Sequence, residues 1–236
     1  MWSPSIIRVQ ISGNPDGESV VVLGGIGPSL NHMGLIRQRL GEAGYRVINI
    51  EYPSTYYSIR ELADEHVGPA IAEANIHLDR PLHFVTMSMG GIVARACLRD
   101  AQPVNLGRVA MVAPPNHGSE VADWLKDFFL FKWRFGPAGQ ELTTEVDATP
   151  CALGAANFEA GVIAGTRSLD PWFAWLFKGK HDGKVSVESA KLDGMKDFAI
   201  VQSDHYLITR HEETLVHTLT FLKEGRFANF NPHSAS

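Results

Sequence analysis

Short apolar runs alternate with segments of helical period along most of this chain, and that alternation restricts the fold more than any other feature. Val20–Leu23, Arg46–Ile50, Pro81–Thr86, Val109–Ala113, Phe158–Ala164 and Phe198–Val201 read as strands, with a possible first strand over 6–11. Between them, Met33, Ile36 and Leu40 fall at helical spacing before a stop at Gly44. Residues 59–77 predict a helix kinked at Gly68-Pro69, because proline lacks the N–H that the ladder needs. Gly90–Asp100 and 211–223 predict two more helices. Runs apolar throughout, rather than every second residue, belong to strands buried on both faces. The pattern therefore predicts an α/β fold: one domain over 1–236, with a mostly parallel sheet covered by helices on both sides. In such sheets the chemistry lies beyond the carboxyl ends of the strands. Residues 114–157 break the alternation and read as an irregular, aromatic-rich insertion, or flap, on that edge.

Several function classes are disfavoured. The formal net charge is -5 and there is no basic block, which argues against a nucleic-acid partner or an anionic membrane surface. No run approaches 18 apolar residues, so no stable membrane anchor is expected. The segment MWSPSIIRVQISG has neither a charged leader nor a long apolar stretch, which predicts no signal peptide. The two cysteines, Cys97 and Cys151, are too few for a disulfide framework. A reduced, cytoplasmic setting is the expectation, and nothing in the sequence speaks to oligomeric state. No histidine–carboxylate spacing of the H-E-x-x-H kind occurs, so neither a metal nor any other cofactor is expected.

The segment Thr86-Met87-Ser88-Met89-Gly90 lies between a predicted strand and a predicted helix and approximates the nucleophile-elbow pattern G-x-S-x-G. Small residues are needed two places before and after the serine, where strand and helix approach closely. Gly90 satisfies this and Thr86 does not. A structural role, with Ser88 capping the helix, fits the same residues. As a nucleophile, Ser88 has a helix N-terminus behind it, whose free N–H groups favour an oxyanion. Met89 N–H is one candidate donor. Ile26 N–H, in the Gly24–Gly27 loop with Gly25 beside it to let the backbone turn, is the other, although those glycines could serve only a tight turn.

Five segments in order resemble the α/β-hydrolases of the small bacterial lipase/esterase type, over roughly 20–225. Val21-Val22-Leu23-Gly24-Gly25-Ile26-Gly27 is similar to their strand and H-G-x-G loop, and Met87-Ser88-Met89-Gly90-Gly91-Ile92-Val93-Ala94-Arg95 to their elbow helix. Ala113-Pro114-Pro115-Asn116-His117-Gly118-Ser119 resembles their T-P-H-x-G-(S/T) stretch. His181-Asp182-Gly183-Lys184-Val185-Ser186 resembles their acid loop, and Ser203-Asp204-His205 their histidine loop. Gly24 stands where these enzymes carry histidine, so the oxyanion loop lacks one side-chain brace, and Thr86 stands for glycine.

The resemblance implies a serine hydrolase of carboxylic esters, working through an acyl-enzyme with Ser88 as nucleophile, Asp182 as acid and His205 as base. Position alone admits Asp170 and Asp193 as acids too, though both read as turn residues; the D-G-x-V match selects Asp182. His205 follows the last strand and precedes the last helix, where this fold presents its base. His117 comes before the acid and has the wrong order. Acyltransferase, thioesterase or amidase chemistry would use the same residues, and a non-catalytic ligand-binding relative would keep the fold alone. A dinucleotide fingerprint over 25–30, with Glu51 on the ribose, fails at Leu30 and at Pro28.

The expected partner is a small ester. Trp124, Phe128, Phe131 and Phe135 fall on one helical stripe and Leu125, Phe129 and Trp133 on another. One row is expected to line an acyl pocket unless both are core. Phe128 and Phe131, with Gly25 and Met87, are the candidate substrate contacts. So short an insertion predicts a modest pocket and short to medium acyl chains.

Overall fold

The computed structural model describes residues 7–27, 32–74, 76–169 and 171–230. Seven strands form one sheet: β1 (Arg8–Gly13), β2 (Ser19–Leu23), β3 (Arg46–Glu51), β4 (Leu82–Met87), β5 (Leu106–Val112), β6 (Ala160–Gly165) and β7 (Asp197–Val201). Their order is β1-β3-β2-β4-β5-β6-β7, parallel except for β1, which pairs antiparallel with β3 at the exposed edge. The alternation in the sequence thus becomes the α/β sheet it predicts.

Side-chain alternation along each strand divides the core in two. Val21, Leu23, Ile48 and Phe84 point to one face and pack with Ile59, Leu62, Met89 and Ile92. Val20, Val22, Val47 and Val85 point to the other, where α1 (Gly34–Glu42) supplies Ile36 and Leu40 and the last helix supplies Leu215 and Phe221. Burial of each large apolar side chain contributes roughly 1.5–3 kcal/mol relative to exposure. β3 lies on one side of β2 and β4 on the other, so the chain reverses its direction of winding between β2 and β4. A crevice opens at such a switch point, and the Gly24–Gly27 loop and Ser88 stand at its two walls.

Two expectations about helices are corrected. The helix expected over 59–77 is not continuous α-helix. It runs as α2 (Ile59–Glu61), a π-helical stretch Leu62–Val67 and α3 (Gly68–Glu73). Gly68 N–H bonds Ala63 O, five residues back, and this wider turn accommodates Pro69, which donates nothing. The insertion at 114–157 is not irregular. It holds α5 (Glu120–Leu125), α6 (Phe129–Gln140) and α7 (Thr149–Ala152). The stripe at 124–135 is not one helix, because the chain breaks between α5 and α6 and Phe128 is extended at φ -76, ψ 126. α6 bends again at Gly136, whose left-handed φ of 61 brings it against Thr55 O. Its aromatics do not form a second core: Phe129 and Trp133 are each 74% exposed.

At the end of β4 the backbone turns through Ser88 at φ 53, ψ -129 into α4 (Met89–Asp100). A Cβ at position 90 would stand 2.5 Å from Gly24 O and 2.6 Å from Leu23 O, so only glycine fits there. Thr86 is accommodated because Gly91 opposes it, where a Cβ would approach Thr86 Oγ1 to 3.2 Å. Thr86 is wholly buried and its hydroxyl has no hydrogen-bond partner among the described residues. An unpaired buried hydroxyl is a desolvation loss without return. Thr86→Val, of the same shape, is therefore expected to leave stability unchanged or raise it by up to about 1 kcal/mol in urea unfolding. A loss larger than that would show the hydroxyl to be paired.

Candidate active site

The sheet brings Ser88, Asp182 and His205 from three separate loops into one hydrogen-bonded chain. Ser88 ends β4, Asp182 lies in a loop bridged by His181 and Ser186, and His205 follows β7. His205 Nδ1 lies 2.7 Å from Asp182 Oδ2, and Nε2 lies 3.0 Å from Ser88 Oγ. All three side chains are buried, between 2% and 8% exposed. A carboxylate can only accept, so Nδ1 carries the proton and Nε2 is left to accept from the serine hydroxyl.

The Asp182 side chain is fixed from several sides. Asp182 Oδ1 accepts from Lys184 N at 2.9 Å and Val185 N at 2.8 Å, which closes the Gly183-containing turn beneath the carboxylate. His205 N donates to Asp182 O at 3.0 Å, so backbone as well as side chain ties the two loops. Gly165, at the end of β6, gives this pair its room, since a Cβ there would meet Asp182 Cβ at 2.8 Å. Of the competing acids, Asp193 is exposed in the loop before β7, away from this chain, and Asp170 lies outside the described residues. His117 does not line the cavity described below. His181 stacks on Phe177 at 4.0 Å and accepts from Gly183 N. Burial pushes the Cys97 thiol up to about 12 and raises Cys151 as well, so neither is primed as a nucleophile.

Ile26 and Met89 flank the serine. Met89 opens α4, where an N–H has no intrahelical acceptor, and neither it nor Ile26 N–H finds a partner among the described residues. Gly25 packs so closely that a Cβ there would lie 3.1 Å from Ser88 Cβ. The loop has braces that the sequence did not reveal. Tyr52 Oη donates to Gly24 O at 2.6 Å, and Ser54 Oγ accepts from Gly27 N at 3.0 Å. Burial raises the Tyr52 phenol well above its usual range, which keeps it a donor. The side-chain brace missing at Gly24 is thus supplied from the loop after β3. Tyr and Ser in a Y-P-S turn carry no motif; only their place after the neighbouring strand could have pointed to them.

A cavity of about 870 Å³ opens on Ser88 and His205. It is larger than so short an insertion suggests, because the end of β3, the loop after it and the start of α1 form about a third of its lining. Gly25, Met87 and Phe131 line it, as do Leu125, Trp133 and Phe135. Phe128 does not. The break between α5 and α6 turns it away, and it packs 5.1 Å from Trp124 at the surface. Among the described residues no group of three or more histidine, cysteine or acidic side chains is placed to hold a metal ion, and no helix is long and apolar enough to cross a membrane. Residues 28–30 of the dinucleotide-like run lie outside the described residues.

A mostly parallel seven-stranded sheet with a strained serine at the central strand-to-helix turn defines the α/β-hydrolase fold, and the chain shares it with solved lipases and carboxylesterases. The Bacillus licheniformis lipase BlEst2 in its mature form superposes with a TM-score of 0.72 at 16% identity, over 95% of this chain and 99% of that one. A carboxylesterase of the thaumarchaeon Nitrososphaera gargenis gives 0.59 at 18% identity, over 95% and 98%. A metagenomic carboxyl esterase gives 0.60 at 16% identity, over 84% and 67%. No protein-family model and no curated protein sequence matches the chain.

The braces make a direct prediction. Tyr52→Phe removes one hydroxyl and leaves the half-buried Gly24 O without its donor, so unfolding free energy should fall by about 0.5–1.5 kcal/mol. Equal stability of the two proteins would mean that this bond holds nothing.

Proposed function

We propose that the protein is a serine hydrolase of carboxylic esters that works through an acyl-enzyme. The observation that supports this most is the relay Asp182–His205–Ser88, buried and hydrogen-bonded at 2.7 and 3.0 Å, with the serine held at a strained φ of 53. Strained backbone at a cleft residue is the kind of cost retained at reactive sites. The likeness in fold to lipases and carboxylesterases points the same way.

In this reading Ser88 Oγ attacks the ester carbonyl carbon as His205 Nε2 takes its proton. The carbonyl oxygen becomes an oxyanion facing the N–H groups of Ile26 and Met89. Such donors act in a water-poor site without reorganisation, which is where their leverage comes from. Asp182 keeps the imidazole in the tautomer that can accept and stabilises the imidazolium. His205 returns the proton to the leaving alcohol, and the acyl group stays on Ser88. Water then attacks that ester with His205 as base and restores the serine. Tyr52 and Ser54 act as positioning residues, since they hold the loop that carries Ile26.

The cavity lies within the roughly 300–1,000 Å³ typical of small-molecule sites. Val121, Leu125, Phe131 and Leu142 give it an apolar wall, which suits short to medium acyl chains.

The first test is labelling by a fluorophosphonate, which reacts only with an activated serine. It should modify the wild type at Ser88 and leave Ser88→Ala untouched. A panel of matched esters, thioesters and amides then assigns the bond, and esters should be turned over fastest. An unlabelled wild type sinks the proposal. Asp182→Asn should lower kcat by roughly a thousandfold or more with KM little changed, because the amide favours the wrong imidazole tautomer. A loss of only a few-fold would remove Asp182 from the role of acid.

A further inference from the structure

Although the chain as a whole carries a net charge of -5, the charges around its cavity have the opposite sign. Arg37, Arg134 and Lys184 line it, against Glu51 as the one carboxylate among the described lining residues. His32 adds nothing at neutral pH, since burial, with Arg210 and His205 nearby, holds it below the usual imidazole range. Lys184 stands over the rings of Phe173 and Tyr206, at 5.1 and 5.9 Å, and Arg37 donates to Gln10. Arg134 differs from both. Among the described residues it makes no hydrogen bond and no ion pair; its only partner is the Phe135 ring, 5.4 Å from the guanidinium carbon. That contact occupies one face of the guanidinium; the residue is exposed at the cavity rim, and its five N–H donors are open to solvent and to a ligand.

Its place is specific. A Cβ built on Gly27 would lie 3.6 Å from Arg134 Nη1, so the guanidinium sits against the loop whose Gly25 touches Ser88. The bend at Gly136, packed on Thr55 O, holds this end of α6 to the β3 loop. The apolar wall of Val121, Leu125 and Leu142 comes from α5 and the turn after α6. The cavity therefore joins an apolar wall to a planar cation held against the Gly24–Gly27 loop.

We propose that the substrate is an ester carrying an anionic group, a carboxylate or a phosphate, which Arg134 binds in the fork geometry its guanidinium offers. A charge-assisted, bidentate pair of this kind is roughly twice as strong as a neutral hydrogen bond. The excess positive charge of the rim also draws such a substrate in. The inference rests on the hydrolase reading and sharpens it to a substrate class.

Two matched pairs of substrates test it. p-Nitrophenyl hexanoate and the mono-p-nitrophenyl ester of adipate differ only by a carboxylate at the end of the acyl chain. Monobutyrin and butyryl glycerophosphate differ by a phosphate on the alcohol. The wild type should prefer the anionic member of at least one pair in kcat/KM by about threefold or more, the range an exposed ion pair supplies. That ratio should collapse in Arg134→Gln and return in part in Arg134→Lys. It should persist in Lys132→Gln, a neighbouring cation outside the cavity lining, and should shrink as salt is raised. A ratio near one for both pairs overturns the proposal, and so does a ratio that Arg134→Gln leaves intact. If no ester is hydrolysed and the fluorophosphonate does not label Ser88, the hydrolase reading fails first. Calorimetric binding of adipate or glycerophosphate to wild type and to Arg134→Gln then still decides whether Arg134 is an anion site.

Discussion

The whole arrangement around the candidate site depends on how closely three stretches of backbone meet at Ser88. The end of β2, the end of β4 and the start of α4 approach until a single Cβ at position 90 would fall 2.5 Å from a carbonyl oxygen. The turn that joins strand to helix within this space forces Ser88 into a positive φ that a residue with a side chain adopts only under constraint. The same closeness places the first N–H groups of α4 and the Gly24–Gly27 loop around the serine hydroxyl. A looser junction would relax the serine and also separate the two unpaired N–H groups of Ile26 and Met89 from its hydroxyl. The strain is held by the surrounding sheet, since β2 and β4 are buried along their whole length.

The relay that meets Ser88 is secured differently, by loops that bond each other before they bond the serine. Asp182 is tied through its own turn by two backbone N–H groups and to His205 by main chain and side chain together. The residues before and after these loops belong to β6 and β7, adjacent parallel strands, so sheet register sets their relative height. That division of labour explains why the elbow tolerates Thr86 in place of glycine. The adjustment is local, absorbed by Gly91 across from it, and does not reach the acid or the base.

Much of this was legible in the sequence, for a physical reason. Strands buried on both faces tend to be continuously apolar, and Val20–Leu23 could hardly be anything else once helical segments follow it. The order of serine, acid and base along the chain then follows from the order of loops on one sheet edge. What the sequence hid depends on contacts between loops. Tyr52 and Ser54 brace the oxyanion loop only because β3 lies beside β2, a pairing that no periodicity records. The aromatic stripe at 124–135 misled for the converse reason. Its spacing is helical, but the turn at 126–128 breaks the helix, so Phe131 and Phe135 reach the cavity while Phe128 does not.

α6 gives the cavity its mixed chemistry. Within the unbroken helical stretch from Phe129 to Phe135, Phe131 and Arg134 are i and i+3 neighbours, about 60° apart around the axis. The break at 128 removes Phe128 from that face, the bend at Gly136 ties the helix to Thr55, and both Phe131 and Arg134 reach the lining. A wall that is apolar at one end and cationic at the other discriminates in two ways at once. It disfavours a charge buried among Leu125 and Leu142, because desolvation there is uncompensated, and it accommodates one beside Gly27, where a guanidinium waits without an anionic partner. On the proposed reading, substrates would be selected by where along their length the charge sits. That selection would be set by the segment from α5 to α6, apart from the Ser88–His205–Asp182 chain beneath it.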